Sequence, residues 1–272
     1  YYSSSDALKL AYRDEGAGLA VLCLSGLTRN GSDFDYVAPH LGGVRLIRPD
    51  YRGRGASQWA DDFMTYSVVQ EAQDTLALLD HLGLEKAAVL GTSRGGIIAM
   101  ALAVMAPDRL IGVCLNDIGP EVAQAGRDNI MTYLGKPPPY ATRAEMAAAL
   151  PGLMTGFQNV PPSRWSEEVA RHTTITPQGL ALTYDPRLRE AVARINAQPT
   201  PDMWPMFDAL AGKPLALIWG ENSDLLARDT VTEMQHRRAD IILASLPDRA
   251  HIPFLDEPVA LRAIHQWIKA CQ

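Results

Sequence analysis

Cysteine is scarce in this chain: three in 272 residues, Cys23, Cys114 and Cys271. The count is odd and no C-x-x-C spacing occurs, so neither a disulfide framework nor a zinc site is suggested. Cys23 and Cys114 lie in apolar runs and read as core packing rather than nucleophiles. Long hydrophobic runs are also missing. The longest, Ile97–Ala106, has ten residues, against the roughly 20 that a membrane span needs. Positive charge is in the minority, with 25 Lys plus Arg against 31 Asp plus Glu and a net charge of −6. That balance argues against a nucleic-acid partner, which would call for a basic face, while leaving room for a small basic pocket. There is no H-E-x-x-H, no P-loop and no dinucleotide fingerprint. Gly16-Ala17-Gly18 lacks the third glycine and follows no buried strand. No metal and no organic cofactor are therefore expected. The first residues show no charged segment followed by an apolar stretch and cleavage site, so the expectation is a cytoplasmic enzyme with no membrane partner. Nothing in the sequence speaks to oligomeric state.

What is present is ordinary globular material, 47% hydrophobic and 21% charged. Short apolar runs alternate with helical spacing through the first half. Leu8–Arg13 alternates like a strand. Leu19–Leu24 (LAVLCL), Val44–Ile47, Ala87–Leu90 and Ile111–Leu115 read as strands, the continuous ones buried on both faces. Val68, Ala72, Leu76, Leu79 and Leu82 recur at helical spacing, and Ile97–Met105 is long enough to be a buried helix. The alternation implies an α/β fold with a doubly wound, mostly parallel sheet. From about Gly119 to Leu210 no convincing strand occurs. Prolines at 137–139 and 161–162 separate helical stretches at Arg143–Leu150, Arg164–His172 and Pro186–Asn196. The strand pattern resumes at Pro214–Trp219 and Ile241–Leu246, with helices at Arg228–Arg238 and Val259–Ala270. The expected organisation is a core of residues 1–118 and 211–272, with 119–210 inserted as a helical lid.

Gly91-Thr92-Ser93-Arg94-Gly95 fits G-x-S-x-G. The string is common by itself, but here it follows a strand and opens a helix, the setting a nucleophile elbow requires. Ser93 is the candidate nucleophile. A serine hydroxyl needs a base to take its proton. Of six histidines, His251 is in the right place, in the loop between the last strand and the last helix; the others read as solvent-facing or capping residues. The base in turn needs an acid to fix its tautomer. Asp224, in the loop Gly220-Glu221-Asn222-Ser223-Asp224, is preferred, with Asp117 and Glu221 as competitors. The order Ser93, Asp224, His251 is that of the nucleophile, acid and base in hydrolases with such an elbow. Oxyanion donors are expected from the backbone N–H groups of Arg94 and of Leu27, the latter in the loop after Leu19–Leu24. Arg29 and Arg94 flank this site; either could hold a substrate carboxylate, though salt bridges are the plainer reading. Met203, Trp204, Met206 and Phe207 either line an apolar pocket, with Trp204 touching substrate, or pack the lid onto the core.

These pieces together resemble the α/β-hydrolase fold family, in its lidded bacterial branch, over essentially the whole chain. The resemblance rests on Ser25-Gly26-Leu27, on R-P-D-Y-R-G-R-G-A-S at Arg48–Ser57, on the elbow, on the acid loop 220–224 and on H-I-P-F-L-D-E-P at 251–258. The second piece is similar to the family's D-x-R-G-x-G-x-S turn through Asp50, Arg52, Gly53, Gly55 and Ser57, and a structural role is expected for it. Two departures stand out. Many relatives carry His-Gly where this chain has Ser25-Gly26. The family's acid usually falls three residues after the strand-end glycine, and Asp224 falls four after Gly220.

The resemblance implies a serine hydrolase, an esterase or lactonase that cleaves a small carboxylic ester or lactone through an acyl-enzyme. Two alternatives stay open. The same triad could cleave a carbon–carbon bond in a vinylogous diketone, or the fold could serve as a non-catalytic ligand receptor.

Overall fold

Leu19–Leu24 contains no polar side chain to present to water, so it belongs in the middle of a sheet covered on both faces. In the computed structural model, which describes Tyr1 to Gln272, five of its six residues are buried. In chain order the strands are β1 (Tyr2–Ser3), β2 (Lys9–Leu10), β3 (Tyr12–Gly16), β4 (Leu19–Leu24), β5 (Val44–Pro49), β6 (Ala87–Thr92), β7 (Leu110–Asn116), β8 (Thr173–Thr176), β9 (Gly179–Leu182), β10 (Leu215–Gly220) and β11 (Ile242–Leu246). The helices are α1 (Val68–His81), α2 (Arg94–Met105), α3 (Gln124–Tyr133), α4 (Arg143–Leu153), α5 (Pro162–His172), α6 (Leu188–Asn196), α7 (Trp204–Asp208), α8 (Arg228–Arg237) and α9 (Pro258–Cys271).

Seven strands form one sheet in the order β11-β10-β7-β6-β4-β5-β3. All pairings are parallel except β3 with β5. After β4 the chain steps outward to β5, then crosses back to place β6 on the other side of β4. The strand order thus reverses between β4 and β6. In open α/β sheets the carboxyl ends at such a reversal leave a crevice, because the two connections leave toward opposite faces. The loops that open that crevice carry Leu27 and Ser93.

Successive strand residues point to opposite faces, and the core divides accordingly. Leu22, Leu24, Val89, Val113, Leu115 and Leu217 pack with α1, α2 and α8 through Leu78, Ile98 and Met234. Val21, Cys23, Leu90, Cys114, Ala216 and Ile218 pack on the other face with Ile264, Trp267 and Cys271 of α9. All three cysteines are free and buried, as core residues.

Between β7 and β10 the chain forms α3 to α7, with a hairpin, β8–β9, that corrects the strand-free reading of this segment. The hairpin escapes pattern reading because each strand has only four residues and Thr173-Thr174-Ile175-Thr176 has no apolar alternation. The segment is strapped to the 50–57 turn by backbone bonds from Gly55 N–H to Thr183 O (2.9 Å) and from Asp185 N–H to Gly53 O (2.8 Å). The turn itself is structural, as expected. Asp50 accepts from the N–H groups of Gly31 and Ala56, and Arg52 pairs with Asp6 and Asp74.

Candidate active site

The elbow between β6 and α2 forms because side chains are absent where the turn is tightest. A Cβ on Gly95 would sit 2.0 Å from the Leu24 carbonyl oxygen, and one on Gly91 would sit 2.6 Å from Gly95 O. Helix α2 can therefore press against the end of β4, and the residue between these glycines is forced out. Ser93 has φ 51° and ψ −116°, a left-handed conformation uncommon for a residue with a side chain. Its Oγ projects at the carboxyl edge of the sheet and lies 3.0 Å from His251 Nε2.

His251 is brought in by the loop after β11. Its Nδ1 lies 2.7 Å from Asp117 Oδ2. Asp117 directly follows β7, has φ 54° and is fully buried. Its carboxylate is saturated with donors: Gly220 N–H at 2.9 Å on Oδ1, and Ser223 Oγ–H at 2.6 Å with the histidine on Oδ2. Because this acid accepts at Nδ1, the imidazole proton sits on Nδ1, and Nε2 is left as the acceptor for the serine hydroxyl.

The preference for Asp224 as the third member is corrected by this geometry. Asp224 accepts a hydrogen bond from Asn129 Nδ2 at 2.9 Å and does not touch His251. Glu221 is also elsewhere, taking Arg228 Nη2 at 3.0 Å. The reason lies in the register of neighbouring strands. β7 pairs with β10, so the loops after both strands open side by side, and either could deliver an acid. The position three residues after Gly220 is held by Ser223, which donates to Asp117 instead of contacting the histidine. With Gly220 N–H already closed onto Asp117, the carboxylate of the β7 loop fills the place beside His251.

The loop after β4 lies against Ser93: a Cβ on Gly26 would be 3.9 Å from Ser93 Cβ. The Leu27 N–H has no hydrogen-bond partner within the protein. Arg94 is the first residue of α2, so its N–H has none inside the helix. Both expected oxyanion donors are thus free and next to Ser93. The Arg94 side chain is not: Nε binds Glu71 Oε2 at 2.5 Å and Nη2 binds the Tyr66 carbonyl at 3.0 Å.

Arg29 is engaged through Nη1 with Glu168 Oε2 at 2.8 Å, and Asp33 stands at 3.5 Å. His172 completes this cluster, 2.6 Å from Asp33 Oδ1. Burial alone would raise the Asp33 carboxyl; Arg29 and His172 outweigh it and hold the group below its ordinary value. The cluster joins α5 to the β4–β5 connection, and His172 is neither a solvent-facing nor a capping residue. Sequence reading missed it because its four members come from two distant segments. Trp204 also departs from a substrate-contacting place. Its Nε1 donates to Glu121 at 2.8 Å, Arg237 stacks on its ring at 4.3 Å, and it meets Phe207 edge-on. Phe207 and Met203 are buried, and Trp204 and Met206 pack against the sheet's core; Trp204 also borders a pocket with Glu121 and Thr230, but Ser93, His251 and Asp117 are not among its lining residues.

Comparison with known proteins agrees with the fold. The profile of the alpha/beta hydrolase family matches residues 21–264. A 3-hydroxybutyrate-oligomer hydrolase of Cupriavidus necator is 36% identical, over 95% of this chain and 92% of its own. The crystal structure of an alpha/beta hydrolase from Novosphingobium aromaticivorans superposes with a TM-score of 0.90 at 38% identity, covering 99% of this chain and 97% of that one. The E-2-(acetamidomethylene)succinate hydrolase structure shares the fold, with a TM-score of 0.83 at 22% identity over 96% of each chain. The chain belongs to the alpha/beta hydrolase family and is a hydrolase.

Proposed function

We propose that the protein is a serine hydrolase of carboxylic esters, acting through Ser93, His251 and Asp117. The observation that carries this reading is the continuous chain of hydrogen bonds from Ser93 Oγ to His251 (3.0 Å) and from His251 to Asp117 (2.7 Å). Ser93 Oγ attacks the ester carbonyl carbon while His251 Nε2 takes the hydroxyl proton. Asp117 holds the resulting imidazolium in place and compensates its charge. The carbonyl oxygen becomes an oxyanion, stabilised by the N–H groups of Leu27 and Arg94. When the intermediate collapses, the carbon–oxygen bond to the alcohol breaks and His251 returns the proton to that alcohol. An acyl-Ser93 ester remains. Water, deprotonated by His251, attacks its carbonyl carbon; the bond to Ser93 Oγ then breaks, His251 returns the proton to that oxygen, and the acid leaves with Ser93 restored.

The substrate class we infer is a short oligoester of a hydroxy acid. The support is the name of the 36% identical relative, whose alignment spans nearly all of both chains. Residues 119–210 act as the lid over this site, held down by Glu168 and His172 on Arg29 and Asp33. A panel tests the reading: the dimer and trimer of 3-hydroxybutyrate, aryl esters of graded acyl length, several lactones and a dienoic diketone. Turnover of the oligoesters and short aryl esters, with a fluorophosphonate label on Ser93, is the expected result. Turnover of the diketone alone, or a label on another residue, contradicts it.

A further inference from the structure

The three consecutive carbonyls after β4 are all held by donors. Tyr51 Oη donates to Ser25 O at 3.1 Å, Arg29 N–H to Gly26 O at 3.2 Å, and Arg54 Nε to Leu27 O at 3.1 Å. A trans peptide points its C=O and N–H to opposite sides. Holding Gly26 O on one side therefore sends the Leu27 N–H to the other, and that N–H is unpartnered. Holding Leu27 O as well removes the remaining freedom of the loop to roll. Two of these three donors, Tyr51 and Arg54, come from the 50–57 turn. Tyr51 is buried, and burial raises its phenol well above the ordinary value, so it stays protonated and able to donate.

Arg54 is an expensive residue for such a place. Its side chain is 1% exposed. Nη1 bonds the Arg52 carbonyl at 2.6 Å and lies 3.0 Å from Glu71 Oε1, while Nη2 has no partner. Glu71, itself fully buried, also takes Arg94. Two buried guanidiniums thus share one carboxylate, and one positive charge is left over. Buried charges that are incompletely paired cost stability, and an apolar cluster of similar size is commonly as stable or more so. The arrangement is therefore better explained by work at the neighbouring loop than by stability.

We infer that Arg54 is a positioning residue for the oxyanion: by holding the carbonyl of the peptide that follows Leu27 it stops the loop from rolling, so that the Leu27 N–H, on the preceding peptide, meets the reacting carbonyl oxygen, and with Arg94 it leaves an uncompensated positive charge beside that loop. The inference rests on Ser93 being the nucleophile. A fixed donor strengthens as the carbonyl oxygen gains charge, and a fixed positive charge in a low-dielectric surround favours the charged state over the neutral ester. Arg54 therefore acts on the transition state and hardly on substrate binding.

The test compares wild type, Arg54→Gln and Arg54→Lys in the full-length chain. Active sites are counted by fluorophosphonate labelling, kcat and KM are measured on an aryl butyrate, and affinities are measured for a trifluoromethyl ketone and for butyrate. The ketone forms a charged tetrahedral adduct; butyrate does not. In Arg54→Gln, kcat per labelled site should fall about 100-fold, as for loss of one oxyanion donor, with KM and butyrate affinity unchanged and ketone affinity falling in parallel with kcat. Arg54→Lys, which keeps the charge and loses the Nε donor, should lie between the two; it decides the matter if Arg54→Gln does not fold. A merely structural role would change the labelled fraction and melting temperature but leave kcat per labelled site and ketone affinity at wild-type values, and that result overturns the inference. Absence of label on Ser93 in the wild type overturns the underlying reading and this inference with it, and so is distinguishable from failure at Arg54 alone.

Discussion

The Ser223 hydroxyl stands 2.6 Å from Asp117 Oδ2, on the same oxygen that meets His251 Nδ1 at 2.7 Å. Ser223 Oγ also accepts the N–H groups of Leu225 and Leu226, at 3.2 and 3.1 Å. The loop after β10 thus contributes a hydroxyl that steadies an acid delivered by the loop after β7. Ser223→Ala removes one donor to a carboxylate, an interaction worth about 1.5–3 kcal/mol. Part of that is felt in the transition state, so kcat should fall about tenfold with KM little changed. Steady-state kinetics on an aryl butyrate check this; an unaltered kcat would show that the hydroxyl does not steady Asp117.

The elbow's glycines make a second expectation. A methyl on Gly95 meets backbone, the Leu24 carbonyl oxygen at 2.0 Å, which cannot move without shifting β4. Gly95→Ala should therefore destabilise by more than about 3 kcal/mol, the upper end of single-residue effects. Gly42 has nothing within 4 Å of its would-be Cβ and no positive φ. Gly42→Ala should stay within about 0.5 kcal/mol of wild type or gain slightly by restricting the unfolded chain. Urea unfolding of both variants separates these outcomes.

Acid stability follows from Asp6. Hydrogen bonds from Arg52 pull its carboxyl down from the ordinary 3.8 to about 2, with burial opposing. Between those values the unfolded chain binds the proton more readily than the folded one. The stabilisation is complete above the unfolded value and disappears as pH falls through the folded one. Asp6→Asn should thus lower the melting temperature near neutral pH and flatten its decline between pH 4 and 2. The carboxylate is 42% exposed, so the effect is small after solvent screening. A variant whose acid decline parallels that of wild type would remove Asp6 from the account.

The sheet, the strand–turn–helix that carries Ser93 and the place of His251 beside it were legible because each is written locally. Ser93 sits where a buried strand meets a buried helix, and His251 where the last strand meets the last helix. The carboxylate that meets His251 was not legible, because carboxylates follow both β7 and β10, and the choice depends on how two neighbouring loops close over each other. One signal could have decided it: three residues after Gly220 stands Ser223, not Asp. The bond from Arg54 to Leu27 spans 27 residues and depends on how the turn folds back over the β4 loop, which no local pattern records. The pairing of α5 with the β4–β5 connection, through Glu168 and Arg29, is hidden for the same reason.

The central claim is that Ser93, His251 and Asp117 work as one unit, and the acid tests it most directly. Asp117→Asn keeps the shape of the side chain but cannot compensate the imidazolium charge, and its amide can hold the wrong tautomer. The corresponding change in a serine protease triad costs about 10⁴ in kcat. With folding confirmed by circular dichroism, kcat for an aryl butyrate should fall by about that factor in Asp117→Asn, while Asp224→Asn, whose amide oxygen can still accept from Asn129, should remain close to wild type. A severe loss in Asp224→Asn with a mild one in Asp117→Asn would contradict the account.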